Sequence, residues 1–235
     1  MITFHNVSKV VKLHGHKRLV LAGVNAVIPS RRRIACLRPH DSDKLTFVNL
    51  LAGITLPTAG RIVRRGRVSF PVGFVGGFTN ELSARQNVAH VARLYDADVD
   101  AVVEFVARNG RFGRHFDMPF RDLPGQQKSQ LATLTAYGIP FDLYLLTAEF
   151  NRGKGGDQQF MQTMSDLFAA RARTAGMFMI VNNMDFARQH CDMGLILHRG
   201  QLLLFDDMEA AIAAREALPA ERAAVPRPQE PPDAL

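Results

Sequence analysis

The sequence predicts an α/β domain built around a mostly parallel central sheet. Three observations carry that reading. Residues 143–147 (Leu-Tyr-Leu-Leu-Thr) and Met177–Val181 are short apolar runs bounded by turn and helix signals, as expected of strands buried on both faces. Helical patterns separate these runs, the alternation that a parallel sheet requires. A third run, Ile34-Ala35-Cys36-Leu37, leads through a polar loop into apolar residues at helical spacing.

Taken in order, residues 1–7 and 18–28 read as strands from their alternation and β-branched content. Arg31-Arg32-Arg33 reads as a turn into the strand 34–37. A helix follows from about 43 to 52, closed by Gly53. Residues 56–62 (LPTAGRI) form a Pro/Gly turn into further β structure, and residues 68–78 (VSFPVGFVGGF) a strand running into a glycine-rich loop. From 81 to about 138 the pattern is helical: Glu81–Tyr95, Val99–Arg108, and a helix starting near Gln126 after the turn 122–125. A helix over 158–173, the strand Met177–Val181, a helix over 184–190, strands 194–198 and 201–205 and a helix over 207–217 complete the chain. The Pro-, Ala-, Glu- and Arg-rich tail reads as disordered. The expected organisation is a core of residues 1–80 and 139–216 carrying an antiparallel β subdomain, a helical subdomain of residues 81–138, and the tail 217–235.

The chain has 235 residues, enough for one large domain or two small ones. No apolar run approaches the roughly 20 residues of a membrane span. The N-terminus lacks the charged start and apolar stretch of a signal peptide, so the expected location is the cytoplasm. Cys36 and Cys191 have no metal-ligand spacing and read as reduced, buried thiols; no metal site is expected. Net charge is +7, with arginines bunched in 31–33, 61–67 and 111–114. A basic surface can meet nucleic acid, an anionic membrane face or an acidic partner. Without interleaved aromatics the nucleic-acid reading is weak, and most of these arginines read as solvated turn residues.

The segment RPHDSDKLTF, residues 38–47, joins the strand 34–37 to its helix. Strand, loop ending in lysine, helix is the plan of a phosphate-binding P-loop, yet this loop contains no glycine. Further stretches stand in a telling order: FHNVSK (4–9), LLAGITLPTAGRI (50–62), PVGFVGGF (71–78), RQNVAHVARLY (85–95), FDLYLL (141–146) and CDMGLILHRGQLLLFDD (191–207). Together they resemble the nucleotide-binding subunit of ABC transporters, in particular those powering export of capsular and related polysaccharides. The resemblance covers nearly the whole chain to about residue 216. It implies a P-loop NTPase-like ABC ATPase domain with a mostly parallel central sheet, an antiparallel β subdomain and a helical subdomain.

Carried over residue by residue, the resemblance implies lost chemistry. The P-loop pattern falls on Arg38 to Leu45. Its glycines become Arg38, Asp41 and Asp43, the lysine survives as Lys44, the Mg²⁺-binding hydroxyl becomes Leu45, and Thr46 keeps the next hydroxyl. Glycines allow the left-handed backbone that lets N–H groups converge on phosphates, and Pro39 removes one N–H outright. Asp41 and Asp43 would set carboxylates beside a triphosphate, at about 4 kcal/mol per pair of unit charges at 4 Å and an effective dielectric of 20. Lys44 reads as a local ion-pair partner, with a retained phosphate contact as the lesser alternative. His40 beside its aspartate reads as a solvated pair, and a new ligand role for His40 and Arg38 as the lesser alternative.

The adenine-stacking aromatic falls on Val11. The Mg²⁺-supporting Asp and the catalytic Glu fall on Thr147 and Ala148; Glu149 is one residue out of step, which along a strand points it to the opposite face, and a substitute base is its lesser reading. The switch histidine falls on Asn183, which cannot carry a proton charge near neutral pH. The glutamine after GGF falls on Thr79. The signature sequence falls on Pro124-Gly125-Gln126-Gln127, with Gln126 on the essential glycine, although a shift by one would restore Gly125. Residues 155–160 (GGDQQF) are similar to the loop after the catalytic Glu, at a spacing a few residues too long.

The reading that follows is a pseudo-ATPase subunit of a polysaccharide-export transporter. No bound cofactor is expected, with ATP and Mg²⁺ as the lesser alternative. Its partners would be an inner-membrane permease and a second ABC subunit, identical or active, on the cytoplasmic face of the membrane. The alternatives are a subunit that still binds ATP with little or no hydrolysis, and a basic scaffold for nucleic acid or an anionic membrane surface.

Overall fold

A six-stranded sheet divides the molecule into two apolar layers. The structure, a computed structural model, describes residues 1–13, 16–37, 41–147 and 158–219, with residues 13 and 41–43 described by backbone alone. The strands are β1 (Ile2–Leu13), β2 (His16–Ile28), β3 (Arg33–Leu37), β4 (Ala59–Arg64), β5 (Val68–Val72), β6 (Leu143–Leu146), β7 (Gly176–Val181), β8 (Met193–His198) and β9 (Gln201–Phe205). The α-helices are α1 (Asp41–Ala52), α2 (Ala84–Leu94), α3 (Val99–Gly110), α4 (Gly125–Gly138), α5 (Gln158–Ala172), α6 (Met184–His190) and α7 (Met208–Ala217). The central sheet runs β5-β6-β7-β3-β8-β9, parallel except for β9. A separate antiparallel sheet runs β2-β1-β4.

Strand alternation sorts the core. Ile34, Cys36, Leu143, Leu145, Phe178 and Ile180 face a cluster shared with α1 and the antiparallel sheet. Ala35, Leu37, Tyr144, Leu146, Met177 and Met179 face a second cluster shared with α2–α7. Successive side chains of a strand point to opposite faces, so strands apolar at every position need a covering layer on each side. Phe47 of α1 ties the first layer together. Its ring lies 6.1 Å from Phe4 and 5.8 Å from Phe178, centroid to centroid.

β5 is an edge strand, which is where Pro71 is tolerated within a sheet. Its register with β6 slips between Val68 and Pro71. Inside that irregularity the fully buried Ser69 hydroxyl accepts from the Leu145 N–H at 2.9 Å. The hydroxyl thus replaces a ladder acceptor, and the pairing carries β6 on to Leu146.

Most elements fall where the sequence puts them, and the differences have local causes. The first hairpin is longer than expected, because pairing continues through Lys9–Leu13 and His16–Leu21. α2 begins at Ala84 rather than Glu81. Ser83 Oγ accepts from the Gln86 N–H, and Gln86 Oε1 accepts in turn from the Ser83 N–H, a full capping box. The arginine clusters are not merely solvated turns. Arg33 lies in β3 and pairs with Asp192, and Arg64 donates to the Leu50 and Leu51 carbonyls that end α1. Both cysteines are buried and free, as expected. No helix is long and apolar enough to cross a membrane among the described residues.

Candidate functional site

In a parallel sheet every strand ends at the same edge. Here Leu37 is level with Val181, Leu146 with Met179, and Val72 with Leu146. β3, β5, β6 and β7 therefore deliver the segments that follow them to one crevice. Ligands of open α/β sheets bind at this edge, beyond the carboxyl ends of the strands. The sequence-predicted stations are thus brought together by topology.

The P-loop's place is the join between β3, ending at Leu37, and α1, beginning at Asp41. Arg38, Pro39 and His40 lie outside the described residues, and Asp41 and Asp43 are described by backbone alone. That backbone is already helical, starting two residues before the expected residue 43. Lys44 is half-buried and already engaged. Leu45 is 55% exposed, an apolar side chain at the position where a metal-binding hydroxyl is expected. Thr46 is half-buried and engaged.

Past β6, Thr147 is half-buried at the crevice. Ala148, Glu149 and residues 155–157 lie outside the described residues. Past β7, Asn183 has a local task. Its Oδ1 accepts from the N–H of Asp185 at 2.9 Å and of Phe186 at 3.2 Å, capping α6. Asparagine is a favoured cap because its side-chain oxygen meets N–H groups that the helix leaves unsatisfied. The described stations after β6 and β7 therefore present a hydroxyl and a capping amide. Neither is a carboxylate that could face a metal ion, and neither takes up a proton near neutral pH. These two groups do not fit Mg²⁺–nucleotide chemistry.

Val11 is half-buried and packs against the cluster shared by α1 and the antiparallel sheet, so no ring is offered there. Thr79 is held by its backbone: its N–H donates to Asn87 Oδ1 at 2.7 Å. Gly125 and Gln126 are exposed at the N-terminus of α4, behind Pro124. Among the described residues no group of three or more His, Cys, Asp or Glu is placed to hold a metal ion.

Sequence reasoning missed two organising residues. Asn87 is fully buried and also donates to the carbonyls of Thr79, Leu82 and Ser83 at 2.9, 3.2 and 3.0 Å. It fixes the loop joining the GGF segment to α2. An Asn on the apolar face of an amphipathic helix was the available signal. Asp192 binds Arg33 at the opposite edge of the sheet, accepting from its backbone N–H at 3.1 Å and from its guanidinium. That pairing, with burial opposing it, holds the Asp192 carboxyl below the usual carboxylate range. The two residues lie 159 apart in the chain, a separation that no local pattern reveals.

No family model matches the chain. It is 29% identical over 219 residues to the polysialic acid transport ATP-binding protein KpsT of Escherichia coli, across 91% of this chain and 97% of that protein. It is 25% identical to the capsule polysaccharide export ATP-binding protein CtrD of Neisseria meningitidis serogroup B, across 93% and 100%. The ATP-binding protein BexA of Haemophilus influenzae is 26% identical, across 90% and 96%. In fold it is similar to the ATP-binding cassette MJ0796, solved as a dimer bound to ADP and Pi. The TM-score is 0.68 at 16% identity, across 88% of this chain and 98% of that one.

Proposed function

We propose that this chain, which belongs to the ATP-binding-cassette subunits of polysaccharide export, is a pseudo-ATPase: a subunit that keeps the cassette fold and has given up hydrolysis. The observation that carries this is the state of the crevice beyond β6 and β7. Where the chemistry needs a carboxylate on Mg²⁺ and a group that senses the γ-phosphate, Thr147 stands half-buried and the Asn183 oxygen is taken up by α6. The glycine-free sequence 38–45 points the same way. Apolar patterning, helix caps and buried polar ties are meanwhile intact, which is what a scaffold needs to dock on partners. The role is structural or regulatory, at a permease in the inner membrane. The working assembly is a dimer with an identical chain or with an active ATPase subunit.

Steady-state Mg²⁺-dependent ATP turnover of the purified chain is expected to match that of its Lys44→Ala variant, both at background. Turnover that Lys44→Ala abolishes would overturn the proposal. A second reading, nucleotide binding without hydrolysis, is favoured by one feature only, the surviving Lys44 in the first turn of α1.

A further inference from the structure

The three strands of the antiparallel sheet hold six Lys and Arg and neither Asp nor Glu. The whole chain is far more balanced, with 29 basic and 22 acidic residues, so positive charge is segregated into this sheet. One face of it is covered: Ile2, Phe4, Val7, Leu21, Val24 and Ile28 lie in the apolar cluster shared with α1. Three of the six cations are engaged within the chain. Lys9 donates to the Thr55 hydroxyl and the Leu56 carbonyl, Arg64 to the carbonyls that end α1, and Arg18 is engaged as well. Lys12, Lys17 and Arg61 stand exposed.

The other face is ordered in rows across the strands. Val27 and Val63 are both cross-strand partners of Thr3, and they are 48% and 37% exposed. Two residues along, His5 is paired with Arg61. Beyond the bulged middle of β1, Val10 pairs with Leu19, which is 51% exposed, and Lys12 pairs with Lys17. Val11, between Val10 and Lys12, packs inward, which leaves its two neighbours on the outer face. Like charges directly opposite each other destabilise a strand pair, and no strand of this sheet supplies a carboxylate to offset Lys12 and Lys17. An anionic surface laid against this face relieves that repulsion.

We propose that this face docks on an anionic lipid bilayer. Lys12, Lys17 and Arg61 meet the headgroups by charge complementarity, and the rows Val27–Thr3–Val63 and Val10–Leu19 lie at the boundary with the acyl chains. Cations interleaved with aliphatic side chains are the composition of surfaces that lie in a membrane interface. A single-stranded nucleic acid would call for stacking aromatics, and Phe4, the one Phe, Tyr or Trp of the three strands, is buried on the covered face. This inference does not rest on the pseudo-ATPase reading, since vesicle binding and ATP turnover are separate readouts.

The test is flotation of the full chain with vesicles of phosphatidylglycerol and phosphatidylcholine in equal parts, and with vesicles of phosphatidylcholine alone. Binding is expected to the anionic vesicles only, and it should weaken as salt is raised, because exposed charges are screened. Lys12→Gln combined with Lys17→Gln should lower the vesicle partition coefficient by about fivefold or more, on the scale of polybasic segments at anionic membranes. Leu19→Ser combined with Val27→Ser should lower it by about threefold or more at constant charge, through lost burial of apolar area. Unfolding midpoints show that each variant is folded, and Arg61→Gln is the second charge variant should the lysine pair not tolerate change. Arg114→Gln combined with Arg173→Gln removes the same charge from exposed positions off the sheet and should bind as the parent chain does. No binding to the anionic vesicles, equal binding to both vesicles, or unchanged binding in the lysine double variant overturns the proposal. An equal loss in the Arg114 and Arg173 double variant overturns it too, since net charge rather than this face would then be at work. A DNA duplex that displaces the chain from the vesicles at equal phosphate concentration overturns the lipid in favour of nucleic acid.

Discussion

Asn183 is a structural residue, the cap at the start of α6. Its side-chain oxygen receives two N–H groups of α6. Losing such a cap costs about 1 kcal/mol, so Asn183→Ala should lower the unfolding midpoint while turnover stays at background. Asn183→His should not create turnover, because Thr147 still offers no carboxylate. The cysteines make a second residue-scale case. Burial pushes the Cys36 thiol up to about 12. Its neutral form thus contributes stability that is full below the unfolded thiol's value, near 8.5, and is lost as pH rises toward 12. Maleimide at pH 8 should leave Cys36 unlabelled in the native chain and label it on unfolding. Asp192 acts at the acid end. Its carboxyl is held below its usual value by the hydrogen bond from Arg33. The resulting stability is present above the unfolded value of about 3.9 and is lost as pH falls through the lower folded value. Denaturant midpoints measured from pH 6 to pH 3 should therefore fall less steeply in Asp192→Asn.

Among the elements, α1 and α7 test how the layers are joined. Phe47 is buried between Phe4 and Phe178, and truncation to Ala should cost about 3–5 kcal/mol in denaturant unfolding. A smaller loss would mean that α1 does not hold the antiparallel sheet to the central one. On the other face, α7 lies so close to β8 that a Cβ on Gly194 would come within 2.1 Å of the Ala211 Cβ. Gly194→Ala should destabilise by about 1–3 kcal/mol, and Ala211→Gly in the same chain should recover part of the loss, a coupling that a double-mutant cycle reads directly. The same elements show what is legible in a sequence. α6 and β9 have the bounds the sequence predicts, since turn residues and a sharp change of pattern mark both ends. α2 starts three residues after the predicted Glu81, because Glu81 and Leu82 fit a helix as well as the loop that Ser83 caps.

For the whole molecule, fold and site differ in how much the sequence discloses. The fold was readable because strands such as Leu143–Leu146 and Gly176–Val181 are apolar at every position, which leaves few arrangements but a covered parallel sheet. The order of the stations along the chain also placed them at one sheet edge. What remained hidden were the long-range ties, Asp192 with Arg33 and Ser69 with Leu145, because each pairs residues far apart in the chain. The proposed loss of Mg²⁺–ATP chemistry is tested first by calorimetric titration of the purified chain with Mg²⁺–ATP beside an intact export ATPase. No heat of binding is expected up to millimolar nucleotide where the control saturates; micromolar binding would mean that residues 38–45 cradle phosphate without glycine, and would overturn the proposal.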